Sequence, residues 1–176
     1  MRLFHLSDLH IGKRVNEFSM IEDQKYILER ILDLAEKEMP DGVILAGDIY
    51  DKQIPSAEAV QVFDEFITKL AERKFPIFVI SGNHDSAERL AFGGRLLNSR
   101  GIYLSPVYDG TVMKIPIADQ YGTVWIHLLP FIRPAAVRRV FEDESDLITD
   151  VQSAVRAVIS HMEIDPNERN ILVAHQ

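Results

Sequence analysis

"GVILAGDIYD" (residues 42–51) decides the fold. Its first half is a continuous, β-branched apolar run. Such a run is expected of a strand buried on both faces of a parallel sheet, where crossover helices leave no solvent-facing side. Its second half turns on Gly47 and carries two aspartates, Asp48 and Asp51, where the strand stops. Working outward, "RLFHL" (residues 2–6) reads as a preceding strand. "MIEDQKYILERILDLAEKE" (residues 20–38) places Ile21, Tyr26, Ile27, Ile31, Leu34 and Ala35 at near-helical spacing. After Asp51, Ser56 is positioned to cap a second helix with Val60, Phe63, Ile67 and Leu70 along one face, and Pro76 opens the strand "IFVIS". The order is βαβαβ. Such units prefer right-handed crossovers and bind ligands beyond the carboxyl ends of their strands.

Those carboxyl ends carry the chemistry. The first strand is followed by "SDLHIG", the second by "GDIYD" and the third by "GNHD", so Asp8, His10, Asp48, Asp51, Asn83, His84 and Asp85 share one rim. A late strand, "NILVA", ends in His175. The expectation is four parallel-type strands that deliver oxygen and imidazole donors to one edge. Carboxylate and amide oxygens mixed with imidazoles suit manganese, iron or zinc better than calcium or copper(I). Gly47 and Gly82 would let the backbone approach closely. Taken singly, each motif has a plainer reading, since aspartate after a strand serves turns and helix caps. It is the three motifs in order, each at a strand end, that point to a metal site. His5 and His161 are expected to be structural or exposed, and His127 is left open.

Composition narrows the function classes. With 176 residues, 47% of them hydrophobic, and no cysteine, the chain can build a core, but it has no disulfide, no zinc thiolate and no cysteine nucleophile. The amino-terminal stretch "MRLFHLSDLH" does not read as a signal peptide and no run approaches the eighteen or so apolar residues of a membrane span. A cytoplasmic location is expected, with no membrane partner. The net charge of −8 opposes a polyanionic partner unless something local reverses it, as filled metal sites do.

"DLHIG", "GDIYD", "GNHDSAERL" and "ILVAHQ" together resemble the calcineurin-like metallophosphoesterase superfamily. The extensions "SAERLAFG" and "LLPFIRP" are similar to its SbcD-type nuclease branch, over the whole chain. The resemblance implies an α/β fold, a four-layer αββα sandwich, around two Mn2+ ions, with Mg2+, Fe2+ or Zn2+ as alternatives. It implies that Asp8 and His10 ligate one ion, that Asp48 bridges both, and that Asn83 and His175 ligate the second. His84 is expected to face the scissile phosphate instead of a metal, stabilising the transition state or protonating the leaving oxygen. Asp51 is expected to hydrogen-bond His84 and orient it. The implied chemistry is two-metal hydrolysis of phosphodiesters without a covalent intermediate.

For the branch, this means 3′-to-5′ exonuclease action on double-stranded DNA and endonuclease action on single strands, in break and hairpin processing. An SbcC-type ATPase and a homodimer are the implied partners, and Lys13, Arg14, Arg89 and Arg95 are candidates for flanking phosphates. Family members continue past "AHQ" to a G-H-x-H motif, so residues 1–176 are expected to be one nuclease domain, incomplete at its C-terminus and short of strands in its second sheet. Two alternatives stand beside this: a phosphomonoesterase or cyclic-nucleotide phosphodiesterase on the same scaffold, and an inactive interaction fragment.

The middle of the chain says less. "GIYLSP", "TVMKIPI" and "TVWIHLLPF" read as strands of the second sheet, with turns at Asp109-Gly110 and Tyr121-Gly122. Helices are expected at about 134–141 and 146–162. The acidic cluster Glu142, Asp143, Glu144 and Asp146 reads as a solvated loop and helix start.

Overall fold

The computed structural model describes residues 1–176. The chain runs β1 (Leu3–Leu6), a small hairpin of β2 (Arg14–Val15) and β3 (Phe18–Ser19), α1 (Ile21–Glu38), β4 (Gly42–Ala46), α2 (Ala57–Glu72) and β5 (Ile77–Ile80). Short helices α3 (Ala87–Leu90) and α4 (Gly94–Leu97) lead to β6 (Ile102–Leu104), then β7 (Met113–Asp119), β8 (Gly122–Leu128), α5 (Pro134–Val140), α6 (Val151–Ser160) and β9 (Arg169–Val173). One sheet is parallel, in the order β1-β4-β5-β6; the other has the order β7-β8-β9, with an antiparallel hairpin and β9 parallel to β8.

The buried strand reading of β4 holds, and its alternation shows why both faces are apolar. Val43 and Leu45 pack with Ile77, Val79 and the buried sides of α1 and α2. Ile44 and Ala46 face the other way, with Phe78 and Ile80, onto Ile115, Val124, Ile126, Leu128 and Val173 of the second sheet. Successive side chains of a strand point to opposite faces, so one five-residue run serves both a helix–sheet and a sheet–sheet interface. A third apolar cluster joins Leu129 and Ile132 to Val137 of α5 and to Ala154, Ala157 and Val158 of α6. The mixed α/β sandwich expected from the sequence is thus present.

Local signals account for the helix ends. Ser56 accepts the Ala59 N–H at 3.2 Å, capping α2 as expected, and Asp150 with Ser153 forms a reciprocal cap on α6.

Three expectations are corrected. "GIYLSP" joins the first sheet: β6 pairs with β5, Ile77 opposite Ile102. A crossover through α3 and α4 returns it parallel to its neighbour. The buried stripe of α1 is Ile21, Leu28, Leu32 and Ala35, whereas Tyr26, Ile27 and Leu34 are exposed; α2 likewise exposes Val60. The helix expected from residue 146 begins at Val151, because Glu142–Leu147 forms a 3-10 turn before the Asp150 cap.

Candidate metal centre

The carboxyl ends of β1, β4 and β5 converge because their loops are tied together backbone to backbone. Asp8 N–H donates to Gly47 O, His10 N–H to Asp48 O and Ile11 N–H to Ile49 O, at 3.1, 3.0 and 2.9 Å. The turn this demands is tight. Asp8, His10 and Asp48 all adopt left-handed backbone, with φ of 56°, 44° and 50°. Left-handed conformations of non-glycine residues cost on the order of 1–3 kcal/mol each and persist where surroundings impose them, commonly at functional sites. Gln24, from α1, donates to Leu9 O and His10 O and accepts from Gly12 N–H, holding the D-x-H loop from behind. Asp85 is buried and accepts three backbone N–H groups, from Gly82, Ile49 and Tyr50, which pins the third loop to the second.

The side chains meet around Asp48, which is 3% exposed. Its Oδ2 lies 3.7 Å from His10 Nε2 and 3.5 Å from His175 Nε2, and its Oδ1 accepts the His84 N–H at 2.8 Å. Donor atoms of His10, Asp48 and His84 lie within 4.8 Å of one another, as do those of Asp8, Asp48 and His175. His175 arrives from the second sheet, so the expected four strands on one edge are three from one sheet and β9 from the other. Its Nδ1 donates to Ala46 O at 2.8 Å, which turns Nε2 toward Asp48. A carbonyl can only accept, so the proton sits on Nδ1 and Nε2 keeps a lone pair.

The glycines are required here. A Cβ on Gly47 would stand 2.7 Å from His175 Cγ, and one on Gly82 would stand 2.2 Å from Asp48 Oδ1. Both lengths are far inside van der Waals contact.

These residues fit divalent cations. A buried carboxylate is normally paired with a cationic side chain or a metal. Asp48 has the imidazole nitrogens of His10 and His175 at 3.7 and 3.5 Å and pairs with no lysine or arginine. The buried His10 Nδ1 has no hydrogen-bond partner, and the Asp51 carboxylate stands 3.6 Å away, the carboxylate-behind-imidazole arrangement that commonly orients metal-bound histidines. Asp8 has its carboxyl held below the ordinary value by the Ser7 hydroxyl, which keeps it anionic.

Two details differ from the expected roles. The Asp51 carboxylate faces His10, not His84; its backbone carbonyl meets His84 Nδ1 instead, at 3.0 Å. The bond from Asp51 N–H to Ile11 O lays this loop along the D-x-H loop, which explains the placement. The geometric grouping also sets His175 with Asp8 and His84 with His10, a division other than the implied one. Asn83 is exposed beside His84, on the wall of a neighbouring cleft.

Sequence reasoning does not assign their tasks to three residues of the site. Gln24 is a polar side chain between apolar helix positions, a visible signal. Asp85 and Ser7 act on backbone and on a neighbouring carboxylate, and become legible only when the loops meet. His127 resolves as structural, buried against Asn170 Oδ1 at 2.9 Å. His161 caps α6, stacked on Phe141, and His5 is exposed within β1. Lys13, Arg14, Arg89 and Arg95 are all exposed. No helix is long and apolar enough to cross a membrane.

The chain is 36% identical over 178 aligned positions to the SbcD subunit of the SbcCD nuclease from Staphylococcus epidermidis, and 34% identical to the protein of the same name from Staphylococcus saprophyticus. Each alignment covers 99% of this chain and 46% of the relative, so the chain spans about half the length of the curated relatives it matches. The calcineurin-like phosphoesterase family matches residues 1–176 throughout, and with every loop of the metal centre inside that match, the chain belongs to this family.

Proposed function

We propose that the chain carries the nuclease centre of an SbcD-type, manganese-dependent phosphodiester hydrolase. It would cut double-stranded DNA from 3′ ends and single strands internally, in break and hairpin processing with an SbcC-type ATPase and a second copy of itself. The observation that carries the reading is Asp48, one buried carboxylate common to two sets of metal-type donors. The names of the two staphylococcal relatives support the substrate and partner.

The ligand assignment follows. In the division that the resemblance implies, Asp8, His10 and Asp48 would hold one ion and Asp48, Asn83 and His175 the other, whereas the donor atoms group His175 with Asp8 and His84 with His10 around the same Asp48. When bound, divalent ions supply Lewis-acid stabilisation of the phosphoryl group and activate water for in-line attack. The chain's own residues do the positioning. The Asp51 carbonyl accepts from His84 Nδ1–H and raises the His84 pKa, favouring the imidazolium. His84 Nε2 would face the scissile phosphate, stabilising the transition state or protonating the leaving oxygen, and the Asp51 carboxylate would orient His10.

The test is His84→Ala, assayed for manganese uptake and for degradation of linear duplex DNA. Metal retained with turnover lost is expected. Loss of the metal would make His84 a ligand, as its closeness to His10 and Asp48 allows, and unchanged turnover would remove it from the mechanism.

A further inference from the structure

Beside the metal centre lies a cleft of about 390 Å³, within the roughly 300–1,000 Å³ typical of small-ligand sites. One wall is the loop from Ser81 to Glu88, including Gly82 and Asn83 of the centre; the other is Val107, Tyr108 and the segment from Phe131 to Ala136. The walls are fastened together. Phe131 N–H donates to Ser81 O at 2.8 Å, and Gln176 bonds both Pro130 O and Ile132 N–H. Each wall has a buried member, Ile132 at 1% and Ser81 at 2% exposure.

Three features of the lining stand out. Arg133 is exposed, takes no part in the chain's ion pairs, like several other surface arginines, and is the one cationic residue among those that line the cleft. The Tyr108 hydroxyl oxygen is buried without a hydrogen-bond partner. Phe131 presents a half-buried ring on the same wall. The acids of the opposite wall are engaged: Asp85 by three backbone N–H groups, Glu88 by the Ser86 hydroxyl at 2.8 Å.

We propose that this cleft is the subsite for the nucleotide adjoining the scissile phosphate, with Arg133 holding that nucleotide's phosphate and Phe131 lying against its base. The inference rests on the nuclease reading and deepens it, since such a subsite favours a nucleic-acid strand over a small phosphoester. A guanidinium matches phosphate with a planar fork of donors, and an aromatic face accepts any base by stacking. Asn83, next in the chain to His84, lines the cleft, so a strand leaving the centre past it enters the cleft.

The test compares Arg133→Gln with Arg139→Gln, a control at another exposed arginine, which lies within α5 and outside the cleft lining. Fluorescence anisotropy with a labelled, hydrolysis-resistant phosphorothioate oligothymidylate, with manganese present and across a salt series, reads binding. With manganese present, hydrolysis of the unmodified oligothymidylate is compared with that of bis(p-nitrophenyl) phosphate. For Arg133→Gln, binding is expected to weaken about tenfold, with a salt slope shallower by about one phosphate contact. Its kcat/KM is expected to fall further on the oligonucleotide than on the small diester. An equal effect of Arg139→Gln, an equal loss on both substrates, or unchanged binding would each overturn the subsite. If the parent chain hydrolyses the small diester but neither binds nor cuts the oligonucleotide, the nuclease reading itself falls.

Discussion

At the residue scale, the centre is built from close approach. Gly82 lies so near Asp48 that a methyl group would meet both the carboxylate and, at 2.4 Å, the Asp48 backbone nitrogen. The backbone nitrogen cannot swing aside and Asp48 Oδ1 is held by the His84 N–H, so Gly82→Ala should displace the "GDIYD" loop, cost about 1–3 kcal/mol and weaken manganese binding. Thermal melts and metal titration of the variant check this, and a variant with parental affinity would show that the loop can yield. Asp85→Ala should cost at least about 2 kcal/mol, because three backbone N–H groups lose their acceptor together. The midpoint of urea unfolding reports it. Asp8, His10, Asp48 and His175 were legible in the sequence because each closes a strand in a motif of fixed spacing. The Asp51 role was not, since a carbonyl and a carboxylate of one residue serve two different histidines.

At the element scale, the parallel strands were legible from their unbroken apolar runs, but the face of α1 was not. Apolar residues occur on both sides of this helix, so periodicity alone does not say which stripe is buried. The structure buries Leu32 at 1% exposure and leaves Leu34 at 49%. Leu32→Ala is therefore expected to cost about 2–5 kcal/mol, as deletion from a packed core does. Leu34→Ala should stay within about 0.5 kcal/mol, as surface changes do. Comparable losses in chemical denaturation would mean that the exposed stripe is covered. The sheet assignment of β6 failed for a related reason. A three-residue strand carries too little pattern to reveal its partner, and only the crossover through α3 and α4 brings it beside β5.

At the scale of the whole molecule, the two sheets are joined at both ends. His175 crosses from β9 to the end of β4 at the metal centre. At the opposite end the Met1 amino group, ahead of β1, lies 3.2 Å from the Asp119 carboxylate of β7, which Arg169 of β9 holds within the second sheet through two hydrogen bonds of 3.1 and 2.7 Å. The Arg169 guanidinium holds the Asp119 pKa well below the ordinary 3.8. A carboxylate depressed in the folded state contributes stability above its unfolded pKa and loses it as pH falls through the folded value. Asp119→Asn should therefore destabilise the chain at neutral pH, and the difference from the parent should shrink as acid takes the pH below 3.8. Unfolding measured across that range tests the sign. No sequence pattern announced this clamp, because its members are distant in the chain and meet only through the sandwich.

The central claim is that one buried aspartate serves two ions, and calorimetric titration of manganese into the parent chain and into Asp48→Ala tests it most directly. Two ions per parent chain are expected, with both sites lost together in the variant, because Asp48 belongs to each donor set. A parent that binds no ion, or a folded variant that keeps either site at parental affinity, would contradict the shared carboxylate.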